Sequence, residues 1–127
     1  MRRGEVWLIN LDPTIGAEIN KTRLTVIVND DAIGILPLKV IVPITEWKDR
    51  YAVAPWMIRL EPNAQNGLDK PSAADAFQVR SVAQERFIQR LGKLPNTAMQ
   101  EIARALAVVL SIELYGHKSL GAASTPE

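Results

Sequence analysis

Apolar residues fall in short runs along most of the chain, separated by polar and turn-forming stretches. Glu5-Val6-Trp7-Leu8-Ile9-Asn10-Leu11 is rich in strand formers and is closed by Asp12-Pro13. Leu24 to Val28 is β-branched at four of its five positions and stops at Asn29-Asp30-Asp31. Leu38 to Ile44 reads as a third strand, and Pro43, which has no N–H for a ladder, predicts an edge or a bulge near its end. Trp56 to Leu60 alternates as a fourth strand, and the Pro-Asn-Ala-Gln-Asn-Gly stretch over 62–67 carries turn chemistry. Ser72 to Val79 reads as a fifth and Phe87 to Leu91 as a sixth, with a short helical turn over Val82 to Arg86. Several short strands punctuated by Pro, Gly and Asn predict a compact barrel or sandwich.

Beyond Pro95 the period changes. Apolar residues at 99, 102, 103, 106, 109, 110 and 114 share one face of a helix predicted over 96–115. Asn96 or Thr97 is placed to cap it, Gln100 completes a capping box with Thr97, and Gly116 is the expected stop. No internal repeat and no linker divides the chain. The expected organisation is one small β domain with a terminal helix over 1–115, then a disordered tail over 116–127, small and polar.

Composition narrows the chemistry. The chain has 127 residues and 47% hydrophobic content, enough for a real core. Fifteen Lys and Arg against fourteen Asp and Glu leave a formal charge of +1, so nucleic acid would have to be met by a local patch rather than a global field. There is no cysteine, which removes disulfides, thiolate metal sites and cysteine nucleophiles. The one histidine, His117, falls in the tail, so no histidine acid–base site, no metal and no cofactor is expected. Arg2 and Arg3 follow Met1 without an apolar leader, and no run approaches the ~20 residues of a membrane span. These features point to a cytoplasmic protein that does not enter a membrane.

One arrangement stands out. A polar loop over 12–22 ends at Arg23, which stands at the mouth of the strand beginning at Leu24. The block Met1 to Arg23 ("MRRGEVWLINLDPTIGAEINKTR"), followed by an apolar strand, then Val-Ile-Val-Pro-Ile-Thr, then Phe-Gln-Val-Arg-Ser-Val and an amphipathic helix, resembles the MazF/PemK family of toxin endoribonucleases. The likeness runs from about Arg3 to about Leu114, and the ordered set of pieces in the first block carries most of it.

The resemblance implies an SH3-like β-barrel of the CcdB/MazF kind, mainly β, with a C-terminal amphipathic helix. It implies a homodimer that cleaves single-stranded RNA without a metal, leaving a 2′,3′-cyclic phosphate and a 5′-hydroxyl, and a cognate antitoxin that restrains it. By the same resemblance the catalytic pair is Arg23 with Thr45, and Gln78 of a Gln78-Val79-Arg80-Ser81 motif faces the RNA with Arg80 beside it. Glu18, Lys21 and Arg3 are further candidate RNA contacts, although Glu18 equally suits a loop pair with Lys21. The chain departs from the family at three places. Leu24 stands where a proline is usual, and Ala17 replaces a serine or histidine. Asp75 and Phe77 occupy the positions of an Arg-x-Asp pair, so the MazF manner of cleavage is implied rather than the PemK one.

The chemistry closes without histidine because the nucleophile is the substrate's own 2′-oxygen. A guanidinium offers a planar, bidentate match to phosphate oxygens that an ammonium cannot. With a pKa above about 12 it is a poor proton donor, which assigns Arg23 to charge stabilisation; a general-acid role rests on the resemblance alone. Trp47, Tyr51 and Trp56 flank Lys48-Asp49-Arg50, where rings beside cations suit base stacking, while Trp56 also suits the core or a dimer contact. Two other classes remain open: a CcdB-like inhibitor of a protein such as DNA gyrase, and a noncatalytic RNA- or antitoxin-binding module.

Overall fold

The computed structural model describes residues 1–11, 22–33 and 36–113. Ala17, Glu18, Lys21, Gly116, His117 and the tail predicted over 116–127 lie outside the described residues. Within them, seven strands form one antiparallel sheet: β1 (Glu5–Asn10), β2 (Thr22–Ile27), β3 (Leu38–Glu46), β4 (Met57–Leu60), β5 (Ser72–Asp75), β6 (Arg80–Ala83) and β7 (Phe87–Lys93). The helix α1 (Asn96–Leu110) follows. The lateral order is β4-β5-β3-β2-β1-β7, and β6 also lies against β3.

Both faces of the central strands are covered, which is why their sequences read as apolar runs rather than as strict alternation. On one face Val6, Val26, Val42 and Ile44 pack with Met99 and Ile102 of α1. On the other, Ile9, Ile27, Ile41 and Val82 form a second cluster, flanked by Trp7 and Phe87. The mainly β class with a terminal helix is as the sequence reading expects. The barrel, however, is not closed by a strand pair. Instead the turn after β4 reaches β7, where the Lys93 N–H donates to the Gln65 carbonyl at 2.8 Å. Asn66, buried within that turn, donates to the Glu61 carbonyl at 2.8 Å and accepts from the Leu68 N–H at 2.9 Å, so the joint is rigid.

The strand predicted over Ser72 to Val79 stops at Asp75, and a separate strand, β6, continues along the same edge of β3 from Arg80, where the sequence reading expects a helical turn from Val82. β5 pairs with Ile44 to Glu46 and β6 with Leu38 to Ile41. The break faces Val42 and Pro43, where the proline has no N–H to offer a partner. Pro43 thus lies in a central strand rather than an edge, at the one point where a ladder on that side is interrupted.

The helix differs at both ends from the sequence expectation. Its N-cap is Pro95, with no side-chain cap, and Asn96 and Thr97 lie inside the first turn. Leu94 is buried and its N–H donates to the Gly4 carbonyl at 2.9 Å, so the two-residue connection from β7 leaves no room for a capping box. Helix α1 ends at Leu110, not near Gly116. Ser111 adopts φ 56°, the Ser111 N–H bonds the Val108 carbonyl at 3.3 Å, and the Ile112 N–H bonds that of Ala107 at 2.8 Å. This is a Schellman motif with serine where glycine is usual. Ala103 and Leu110, expected on the apolar face, are exposed, while Ala105 and Ala107 are buried.

Candidate active site

The sheet register brings the candidate residues into one row. Ile9 of β1 pairs with Arg23 of β2. The β2–β3 register runs to Leu24 and Ile44, and one further antiparallel step sets Arg23 across from Thr45. Thr45 in turn pairs with Ala73 of β5, and Ala73 with Arg59 of β4. Opposed residues on adjacent strands share a face, so Arg23, Thr45 and Arg59 stand on the same side of the sheet. At about 4.8 Å between strands, Arg23 and Thr45 are about 5 Å apart along the backbone, and Arg59 lies about 10 Å beyond Thr45.

Arg23 is exposed, and among the described residues its guanidinium has no hydrogen-bond or ion-pair partner. Thr45 is half-buried, and its hydroxyl is likewise uncommitted among the described residues. Thr45 borders a cleft of about 190 Å³ with Leu24, Glu46, Asp69 and Lys70, in which the Lys70 ammonium lies 3.4 Å from the Glu46 carboxylate. A free guanidinium beside a free hydroxyl is a donor pair suited to a phosphate.

Gln78 occupies a short 3-10 turn (Ala76–Gln78) at the break between β5 and β6, not a strand. Its Nε2 donates to Asp75 Oδ2 at 2.9 Å, while Asp75 Oδ1 accepts from the Phe77 N–H at 3.1 Å. Asp75 is buried and organises the turn, an Asx role visible in hindsight from an aspartate two residues before Phe77. Arg80 is exposed on β6, across from Ile41 and on the same face as the row.

Arg3 does not join this group. It precedes β1, six residues before Ile9, a separation on the order of 20 Å at strand rise. Its guanidinium donates to the Val28 carbonyl and its backbone N–H to Asp31 Oδ1 at 2.8 Å, which ties the chain start to the turn after β2. A larger cavity, about 620 Å³, opens beside Arg3, Asn63, Gln65, Lys93 and Asn96. Size alone does not make it the chemical centre, because the Arg3 guanidinium is already spent on backbone. Glu18 and Lys21 fall outside the described residues.

The same end of β1 holds Glu5, which accepts from the Trp7 indole N–H at 2.8 Å and lies 3.4 Å from Arg90. Burial pushes its carboxyl up, yet the Trp7 indole, the Arg2 backbone, the N-terminal ammonium and Arg90 more than offset this and hold it below the usual carboxylate range. Among the described residues no group of acidic or histidine side chains converges as metal ligands would.

The sequence marks Trp47 beside the cations of 48–50 but not Arg59, the cation of the row that meets its ring. The Arg59 guanidinium lies 4.9 Å from the centre of the Trp47 ring, and Trp47 meets Tyr51 edge-on at 5.8 Å. Alternation in Trp56 to Leu60 signals that Arg59 points away from the main core, but nothing in sequence links it to Trp47. Trp56 is half-buried and meets the exposed Phe77 at 5.7 Å, so it belongs to neither core cluster.

Comparison with known proteins bears on this site. Residues 2–110 match a family model described as PemK-like, MazF-like toxin of type II toxin-antitoxin system. Endoribonuclease MazF9 of Mycobacterium tuberculosis is 30% identical over 118 residues, covering 88% of this chain and 98% of that protein. Endoribonuclease PemK of Escherichia coli is 32% identical over 113 residues, covering 87% and 83%. Among solved structures, a mycobacterial endoribonuclease in complex with its cognate antitoxin superposes with a TM-score of 0.71 at 19% identity, covering 90% of this chain and 98% of that one. A MazE–MazF structure from Deinococcus radiodurans gives 0.72 at 21%, covering 89% and 97%.

Proposed function

The chain belongs to the PemK-like, MazF-like toxins of type II toxin–antitoxin systems, and on that premise we propose that it is a metal-independent endoribonuclease acting on single-stranded RNA. The names of its two curated relatives, both endoribonucleases, support the class of reaction. The observation that carries the mechanism is the register that sets Arg23 across from Thr45, with both side chains uncommitted among the described residues.

The 2′-oxygen of a ribose attacks the adjacent phosphorus as it loses its proton. The bond to the 5′-oxygen breaks, and that oxygen takes up a proton as it leaves. The products are a 2′,3′-cyclic phosphate and a 5′-hydroxyl, with no net change in atoms or electrons. Arg23 binds two phosphate oxygens and stabilises the negative charge that gathers on them, and Thr45 fixes the same phosphate through its hydroxyl. Loss of one such preorganised donor costs about 2.7–4 kcal/mol of barrier. Gln78, presented by Asp75, and Arg80 extend the contact along the strand of RNA. Glu18 and Lys21, which precede β2 in the chain, serve as further contacts.

The protein works as a homodimer and is held inactive by a cognate antitoxin. Exposed Val108, Leu110 and Ile112 at the end of α1 support a protein partner there.

The test incubates purified protein with a long single-stranded RNA in excess chelator and maps fragment ends. Cyclic phosphate termini that vanish in Arg23→Ala are expected. Arg23→Lys keeps the charge but removes the planar fork, so near-normal cutting by that variant contradicts the bidentate role. Intact RNA with blocked DNA supercoiling would instead indicate a CcdB-like inhibitor, and binding without cleavage a noncatalytic module.

A further inference from the structure

We propose that Arg59, seated on Trp47, is a stacking platform for a base of the RNA next to the scissile phosphate. The proposal rests on the ribonuclease reading above and adds a substrate subsite to it. Three observations converge. The row Arg23–Thr45–Ala73–Arg59 places Arg59 two strands from Thr45 on the same face, with the buried Ala73 at the register position between them. A strand of RNA leaving Arg23 and Thr45 in that direction meets Arg59 after about 10 Å.

The guanidinium is also held in place. Its Cζ lies over the Trp47 ring, 4.9 Å from the ring centre, and its Nε is bonded to Glu61. These two contacts restrain the guanidinium, and the Arg59 side chain remains 47% exposed. Single-stranded RNA is read largely by bases that stack on aromatic rings and on guanidinium planes, and this arrangement supplies both, one behind the other.

Finally, hydrogen bonding of its indole does not explain why Trp47 sits there. Its Nε1 is buried and has no acceptor among the described residues. Its ring contacts are Arg59 on one side and the edge of Tyr51. The ring backs the cation.

The experiment titrates the full-length protein and its Arg59→Ala and Arg59→Lys variants with labelled single-stranded RNA. The RNA is 2′-O-methylated to block cleavage, and a companion series carries a single abasic residue at each position in turn. Unmodified RNA is digested in parallel. Both variants should bind about 5- to 150-fold more weakly than wild type. The deficit should disappear on the RNA abasic at one particular position, since the variant and the abasic residue remove the same contact. Wild-type binding by Arg59→Lys would show that charge alone suffices and overturn the platform, as would a deficit that persists on every abasic RNA. Wild-type cleavage of unmodified RNA with no binding loss in either variant overturns the platform and leaves the nuclease reading standing. Position-specific loss with no cleavage does the reverse, and neither binding nor cleavage overturns both.

Discussion

Closure of the sheet through a turn rather than a strand pair makes Gly92 a sensitive position. A Cβ added there would lie 2.3 Å from the Gln65 carbonyl oxygen and 2.5 Å from the Asn66 carbonyl carbon, both backbone atoms. Reaching even 3.0 Å requires the turn to retreat by about 0.7 Å, and Asn66 anchors it to Glu61 and Leu68. Overpacking of this kind costs about 1–3 kcal/mol, and loss of the Lys93–Gln65 hydrogen bond adds about 0.5–1.5 kcal/mol. Gly92→Ala should therefore destabilise the protein by about 2–4 kcal/mol, a large part of the ~5–15 kcal/mol typical of a folded domain. Urea unfolding followed by far-UV circular dichroism measures this as a shift in midpoint at constant slope. Gly4→Ala is the internal comparison. Gly4 has φ +92°, but its nearest neighbour to a new Cβ is 3.6 Å away, so only backbone strain of about 1–2 kcal/mol applies. A Gly92→Ala cost below about 1 kcal/mol would refute the close turn-to-strand contact as the device that joins the sheet edges.

Other expectations are compact. Thr45→Val should leave stability nearly unchanged, since the hydroxyl has no partner among the described residues, yet slow RNA cleavage about 100- to 1,000-fold by removing one preorganised donor to the phosphate; Thr45→Ser should retain most of the rate. Glu5 is held below its ordinary value of 4.5, so its contribution to stability is present above that value and is lost as pH falls through the folded one. Between about pH 6 and about pH 3 the wild type should lose more stability than Glu5→Gln, and parallel urea midpoints would contradict the assignment. Ser111→Gly should raise the melting midpoint by relieving the positive-φ cap, a gain of about 1 kcal/mol in thermal unfolding.

The amino-acid order alone determined a good deal of this protein. Apolar runs marked β1 and β3 and alternation marked β4, each within a residue or two, because the faces a strand buries leave that signature whatever the neighbours are. The change of period beyond Pro95 marked α1, and the block through Arg23 pointed to the family. What it left open was set by contacts between distant segments. That the strand from Ser72 stops at Asp75 and a new one starts at Arg80 depended on Pro43, far earlier in the chain, failing to supply a ladder donor to that edge. The end of α1 was decided by the geometry of Ser111 rather than by the nearest glycine. Above all, the row joining Arg23, Thr45 and Arg59 exists only once four strands are paired in register, since Trp47 and Arg59 share no local pattern. Periodicity reports which face a residue takes; only the pairing of strands decides which residues become neighbours on it.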